Sequence, residues 1–150
     1  MNDPFFLERF VNAQRKYYTR ALAEIRQGHK STHWIWFIFP QIEGMGNSYE
    51  SRTFAISGLE EAKAYLQHPV LLRHLEEITQ VLLDLPGNDP YPVMGSGIDV
   101  KKLQACMTLF AAAEPENPMF EKVLQKYYRG EKHQKTLRIL NEKKHQKRTY

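Results

Sequence analysis

Asp99 and Lys102 stand three residues apart in the string Asp-Val-Lys-Lys-Leu-Gln-Ala-Cys-Met-Thr-Leu-Phe. On a helix that spacing lets a carboxylate meet an ammonium. The ordinary outcome is a capping aspartate with a weak surface ion pair. At the mouth of a pocket the same two groups have a chemistry: the carboxylate orients a ribose hydroxyl or moves a proton, and the ammonium takes a phosphate. They are the candidate catalytic pair. Thr108 puts a hydroxyl into the apolar run further along, although a helical threonine can satisfy itself on the carbonyl four residues back.

A second source of chemistry is His33 to Ser48, His-Trp-Ile-Trp-Phe-Ile-Phe-Pro-Gln-Ile-Glu-Gly-Met-Gly-Asn-Ser, which holds both tryptophans of the chain. Trp34 and Trp36 offer stacking surfaces. Gln41, Gly44, Gly46 and Ser48 offer amide and hydroxyl groups on a backbone free to approach something closely. With Thr108 these six are the candidate ligand-binding residues. The competing explanation is a core segment entering a turn, since Gly44-x-Gly46 lacks the third glycine and preceding strand of a dinucleotide fingerprint. Arg9, Gln14 and Arg52 are further polar residues near the aromatics.

Several strings resemble the domain-of-unknown-function family 1810. They are Asp3-Pro4-Phe5, Leu7-Glu8-Arg9-Phe10, Ala13-Gln14, Trp34-x-Trp36-Phe37-x-Phe39-Pro40-Gln41, Gly44-x-Gly46-x-Ser48, Glu61-Ala62-x-x-Tyr65-Leu66-x-His68-Pro69 and Asp99-x-x-Lys102-Leu103-x-x-Cys106-Met107-Thr108-Leu109-Phe110. The resemblance runs nearly end to end and implies a compact all-helical domain, with almost nothing about activity. Three places depart from the pattern: Leu72 and His74 stand where Gly and Arg are expected, Ala105 replaces a small hydroxyl residue, and His133 replaces an Asp before Thr136-Leu137. The layout is more distantly similar to the NADAR helical domains, which are tied to ADP-ribose derivatives and N-glycosidic bond cleavage. That likeness implies Asp99 as the carboxylate, with Glu43 and Glu61 as weaker candidates, Lys102 as the phosphate or ribose contact, and Trp34 or Trp36 as the stacking surface.

These groups need helices to position them. Asp3 and Pro4 open a helix with Phe6, Phe10, Ala13, Tyr17, Ala21 and Ile25 on one side, and Gly28 stops it. Trp34 to Phe39 has no alternation and is read as helical from the resemblance. Ser57-Gly-Leu-Glu60 reads as a capping box, and Pro69 starts a helix with Val70, Leu71, Leu75, Ile78, Leu82 and Leu85 inward. Pro86 to Ser96 is expected to be the longest loop. Beyond it, helices start near Ser96 or Asp99, at Asn117-Pro118 and near Lys132. The expectation is an all-α, single-domain bundle of about six helices over residues 1–142, with a basic tail at 143–150.

At 150 residues the chain is long enough to bury one substantial core without staples. The single cysteine, Cys106, excludes an internal disulfide. No run approaches the roughly 18 apolar residues of a membrane span and no signal peptide precedes the first helix, which points to a cytoplasmic protein with no membrane partner. Residues 131–150 carry seven Lys/Arg against two Glu, or +5, leaving 14 against 15, or −1, for the rest of the +4 total. A basic end on a neutral body argues against nucleic acid as the partner. There is no P-loop, G-x-S-x-G, H-E-x-x-H or C-x-x-C, and the six histidines do not form a metal set. No cofactor and no metal is expected.

Three functions remain. The first is a pocket for a nucleotide or ADP-ribose-type ligand, with possible hydrolysis of an N-glycosidic bond. The second is a non-catalytic module for protein or nucleic acid, using the basic end. The third is a scaffold with no small-molecule site.

Overall fold

A computed structural model describes residues 2–148. It contains nine helical segments: α1 (Glu8–Arg26), α2 (Ile35–Ile38), α3 (Tyr49–Thr53), α4 (Leu59–Gln67), α5 (Pro69–Asp84), α6 (Pro90–Met94), α7 (Gly97–Ala113), α8 (Met119–Tyr128) and α9 (Gln134–Arg148). No strand forms among the described residues; Ile42 and Ile56 make an isolated parallel bridge. Among the described residues no helix is long and apolar enough to cross a membrane.

The count exceeds the expected six because single turns escape periodicity. α3 and α6 are the two the sequence did not announce. α6 lies inside the expected long loop, where Pro90 occupies the first turn and the Asp89 carboxylate accepts the Tyr91 N–H at 3.0 Å. Elsewhere the start signals hold for α7 and α8, whereas α1 begins at Glu8, after Asp3 and Pro4, and Phe6 and Tyr17, expected on its inward side, are 62% and 43% exposed. Asp3 accepts the N–H of Leu7 and Glu8 at the mouth of α1, Ser96 caps α7, and Asn117 accepts from Met119 at the start of α8. The capping box before α4 uses a different partner. Glu61, not Glu60, accepts both the Ser57 N–H at 2.9 Å and its hydroxyl at 2.8 Å. The final helix runs on through Arg148, so the expected boundary at residue 142 falls inside α9.

α7 is the central element. Val100, Leu103, Cys106, Met107, Leu109, Phe110 and Ala113 are all buried, as expected of a helix apolar on most sides. α4, α6, α8 and α9 pack around it, while α5 bridges α1 and α8. An aromatic chain crosses the interior through Tyr17, Phe37, Phe54, Phe10, Tyr65, Phe110 and Phe120. Successive ring centroids lie 5.2–5.9 Å apart, in the range where tilted ring pairs add about 0.5–1.5 kcal/mol each to area burial.

Two buried polar groups lock the frame. All five N–H bonds of the Arg9 guanidinium are used: on the carbonyls of Thr53, Phe5, Phe6 and Ala55, and on Glu61 at 2.7 Å. Two of these hold Phe5 and Phe6, whose turn includes a left-handed Phe6 at φ 52°. Gln14, 2% exposed, donates to the Phe37 carbonyl and the Tyr65 hydroxyl and accepts from His74 Nδ1 at 2.8 Å. The His74 ring stacks on Tyr18 at 3.7 Å. A residue that departs from the family pattern is thus absorbed into the core network.

Candidate functional site

The structure separates the Asp99–Lys102 pair. Asp99 pairs instead with Lys30 at 2.8 Å, with side-chain exposures of 15% and 5%. The turn after α1 lays Lys30 against α6, where its N–H donates to the Val93 carbonyl at 2.7 Å, and its ammonium reaches Asp99 in the first turn of α7. That approach explains Gly95: its φ is +82°, and a Cβ there would stand 2.6 Å from the Lys30 carbonyl oxygen.

Lys30 belongs to a knot that also takes Trp34 out of reach. The ammonium donates to the Thr32 carbonyl at 2.6 Å and lies 4.9 Å from the Trp34 ring centroid. Trp34 is fully buried. Its indole N–H donates to Glu24 at 3.0 Å, and the same carboxylate accepts the N–H of Ser31 and Thr32 and the Thr32 hydroxyl at 2.6 Å. Burial, the largest single influence, pushes the Glu24 carboxyl up, but these four donors outweigh it and hold it at about 2. Trp34 therefore supports the frame and presents no stacking face to a ligand.

Trp36 and Lys102 come together about one turn further along α7. The Lys102 ammonium sits 5.2 Å from the Trp36 ring centroid and makes no ion pair among the described residues. Trp36 lines a notch with Gln41, Ile42, Met45, Ser51 and Phe54, whose volume of about 10 Å³ is room for one water-sized atom. The Trp36 indole N–H is buried and has no partner among the described residues. An indole N–H only donates, so a buried one without an acceptor costs about 1–3 kcal/mol unless a water or ligand oxygen meets it.

The glycines make their close approaches within the protein. Gly44 has φ +99° and a Cβ there would meet the Ile139 δ-methyl of α9 at 3.3 Å, while at Gly46 it would meet the Ser51 hydroxyl at 2.9 Å. Ser48 caps α3, accepting from the Ser51 N–H at 3.0 Å and bonding its hydroxyl at 2.8 Å. Thr108 is buried. It donates to Gln104 four residues back and accepts the His133 N–H at 2.9 Å, tying α9 to α7. Another of the three departures from the family pattern finds its role here. His133 Nδ1 accepts the Thr136 N–H at 3.3 Å, the bond an aspartate would accept at the head of α9.

Of the candidates, then, Trp36 is the one that meets two others, Gln41 in the notch and Lys102 over its ring. Asp99 and Trp34 form a second cluster, Gly44, Gly46 and Ser48 shape the loop beside the notch, and Thr108 serves the α7–α9 joint. Ser51, Met45 and Phe54 were missed; the Ser-x-x-Ser capping spacing after Ser48 is the signal that places Ser51. Glu24 and Lys30 were also missed, as single charges with no motif. No group of His, Cys, Asp or Glu among the described residues is arranged to hold a metal.

The helical fold around α7 defines the class to which the chain belongs. It is a member of the family described as protein of unknown function (DUF1810), matched over residues 4–140. The fold is similar to that of the conserved hypothetical protein Rv1873 from Mycobacterium tuberculosis, with a TM-score of 0.89 and 42% identity, covering 93% of this chain and 99% of that one. Comparison with curated proteins found no match. The likeness to the NADAR domains is not borne out by either finding.

Proposed function

We propose that this protein binds an anionic, phosphate-bearing ligand of nucleotide type where Lys102 lies over Trp36, and that it binds without cleaving. The observation that carries this is the buried indole N–H of Trp36, without a partner among the described residues, on a ring that lies under an ammonium with no carboxylate partner among those residues. With the Gln41 amide and the Ser51 hydroxyl the notch is rich in donors, which suits an oxyanion. Its size admits one oxygen, so a single phosphate oxygen enters it and the rest of the phosphate and of the ligand lies on the surface. Lys102 already covers one face of the indole, leaving base stacking to the other face or to none.

Binding rather than glycosidic cleavage is favoured because the carboxylates suited to that chemistry are committed elsewhere. Asp99 is held by Lys30, Glu61 by Arg9 and Glu43 by Lys143. A group tied to a cation in a structural pair is a poor base for activating water. A thermal-shift series with inorganic phosphate, ATP and ADP-ribose tests this. A ligand at a hundred times its dissociation constant stabilises by about 2.7 kcal/mol, and Lys102→Ala should abolish that gain. An equal gain in the variant refutes the site, and liberation of free base from ADP-ribose or NAD refutes binding without cleavage.

A further inference from the structure

A cavity of about 390 Å³ lies where the C-terminal end of α7 meets α4. Ala112 is ten residues beyond Lys102, which at 1.5 Å per residue places it about 15 Å along the helix from the anion site. The floor is apolar: Leu66 from α4, Ala112 and Ala113 from α7, then Pro115. The polar rim is asymmetric. Glu114 and Glu116 come from the α7–α8 connection and Lys63 from α4, and none of the three makes an ion pair among the described residues.

The helix end adds to the negative side. The Glu114 N–H closes the last helical bond on the Phe110 carbonyl at 3.0 Å, so the carbonyls of Ala111 to Ala113 accept no hydrogen bond among the described residues. They present the negative end of the helix dipole, equivalent to about half an elementary charge. The cavity thus offers two carboxylates and the open helix end at Ala112 and Ala113 over an apolar floor, with the neutral Gln67 amide and one ammonium of opposite charge completing its rim. Its complement has two cationic groups, one anionic group and a methylene chain between.

We propose that this cavity binds a free basic amino acid. The α-carboxylate pairs with Lys63, the two cationic nitrogens with Glu114, Glu116 and the open α7 carbonyls, and the side-chain methylenes cover Leu66 and Ala112. A neutral amino acid of the same length leaves one glutamate unmatched, and an acidic one meets like charge.

The test is a titration of the full chain, labelled with nitrogen-15, with L-lysine, L-norleucine and L-glutamate. Lysine should move the amides of residues 63–67 and 112–116 along a saturable curve, and norleucine and glutamate should bind about tenfold more weakly or not at all. The surface changes Glu114→Gln with Glu116→Gln, and separately Lys63→Gln, should each weaken lysine by a similar factor. Absence of a saturable shift, equal affinity for norleucine or glutamate, or unchanged affinity in either variant overturns the proposal. No arm of the experiment involves Trp36 or Lys102, so its failure leaves the anion site standing.

Discussion

Replacing Asp99 by asparagine separates a structural carboxylate from a site carboxylate. Asn retains the shape and removes the charge, leaving the Lys30 ammonium, 5% exposed, without its counter-ion. Removing one partner of a fully buried pair costs about 3–5 kcal/mol. Here the cost is smaller, because Asp99 keeps 15% exposure and Lys30 retains the Thr32 carbonyl and the Trp34 face. About 2 kcal/mol is the expected loss. At about 2–4 °C per kcal/mol for a chain of this size, the melting temperature should fall by about 4–8 °C. Urea denaturation of the parent, Asp99→Asn, Lys30→Met and the double variant gives the coupling directly, expected at about 1.5–2 kcal/mol. Affinity for a phosphate-bearing ligand should stay unchanged in Asp99→Asn. A stability loss below about 0.5 kcal/mol, or a tenfold loss of affinity, refutes the assignment of Asp99 to the frame.

Glu24 sets an acid limit on stability. Its carboxyl is held at about 2 against an ordinary 4.5, so it stabilises the fold above pH 4.5 and that contribution, about 3 kcal/mol at about 1.4 per decade, is lost as pH falls towards 2. Glu24→Gln should flatten urea midpoints over that window; an unchanged slope contradicts it. His74 has its pKa lowered below 6.5 by burial, with Arg73 adding to it against Glu77. It should titrate by NMR below that value, and stability should fall as pH drops through that region. Thr108→Val strips the acceptor from the half-buried His133 N–H and should cost about 1 kcal/mol, with amide exchange rising first in α9. Truncation after Glu142 removes the partly exposed Lys143–Glu43 pair, worth at most about 1 kcal/mol, so melting should shift by only a few degrees; a collapse of stability contradicts that.

The helical frame was legible because its signals are local. Asp3, Ser96, Asn117 and Pro69 mark starts by their own side chains, and the inward residues of α5 and α7 repeat at three and four. α3 and α6 were illegible because one turn is too short to show a period. The site was half legible: residue types named Trp36, Gln41 and Lys102, yet spacing also paired Asp99 with Lys102. Spacing on one helix shows which side chains can meet and is silent about a competitor arriving from sequence-distant Lys30. The two tryptophans are alike in sequence and opposite in use, since only the fold reveals that Glu24 claims one indole and leaves the other free.

The two indole N–H protons provide the most direct test of the anion site. In a proton–nitrogen spectrum of the folded protein, Trp34 and Trp36 give separate signals, assigned by Trp36→Phe. Adding ATP or inorganic phosphate should move the Trp36 signal as an oxygen takes up its N–H, and leave the Trp34 signal, bonded to Glu24 at 3.0 Å, in place. Lys102→Ala should remove the response. A stationary Trp36 signal at saturating ligand, or one that moves equally without Lys102, contradicts the account.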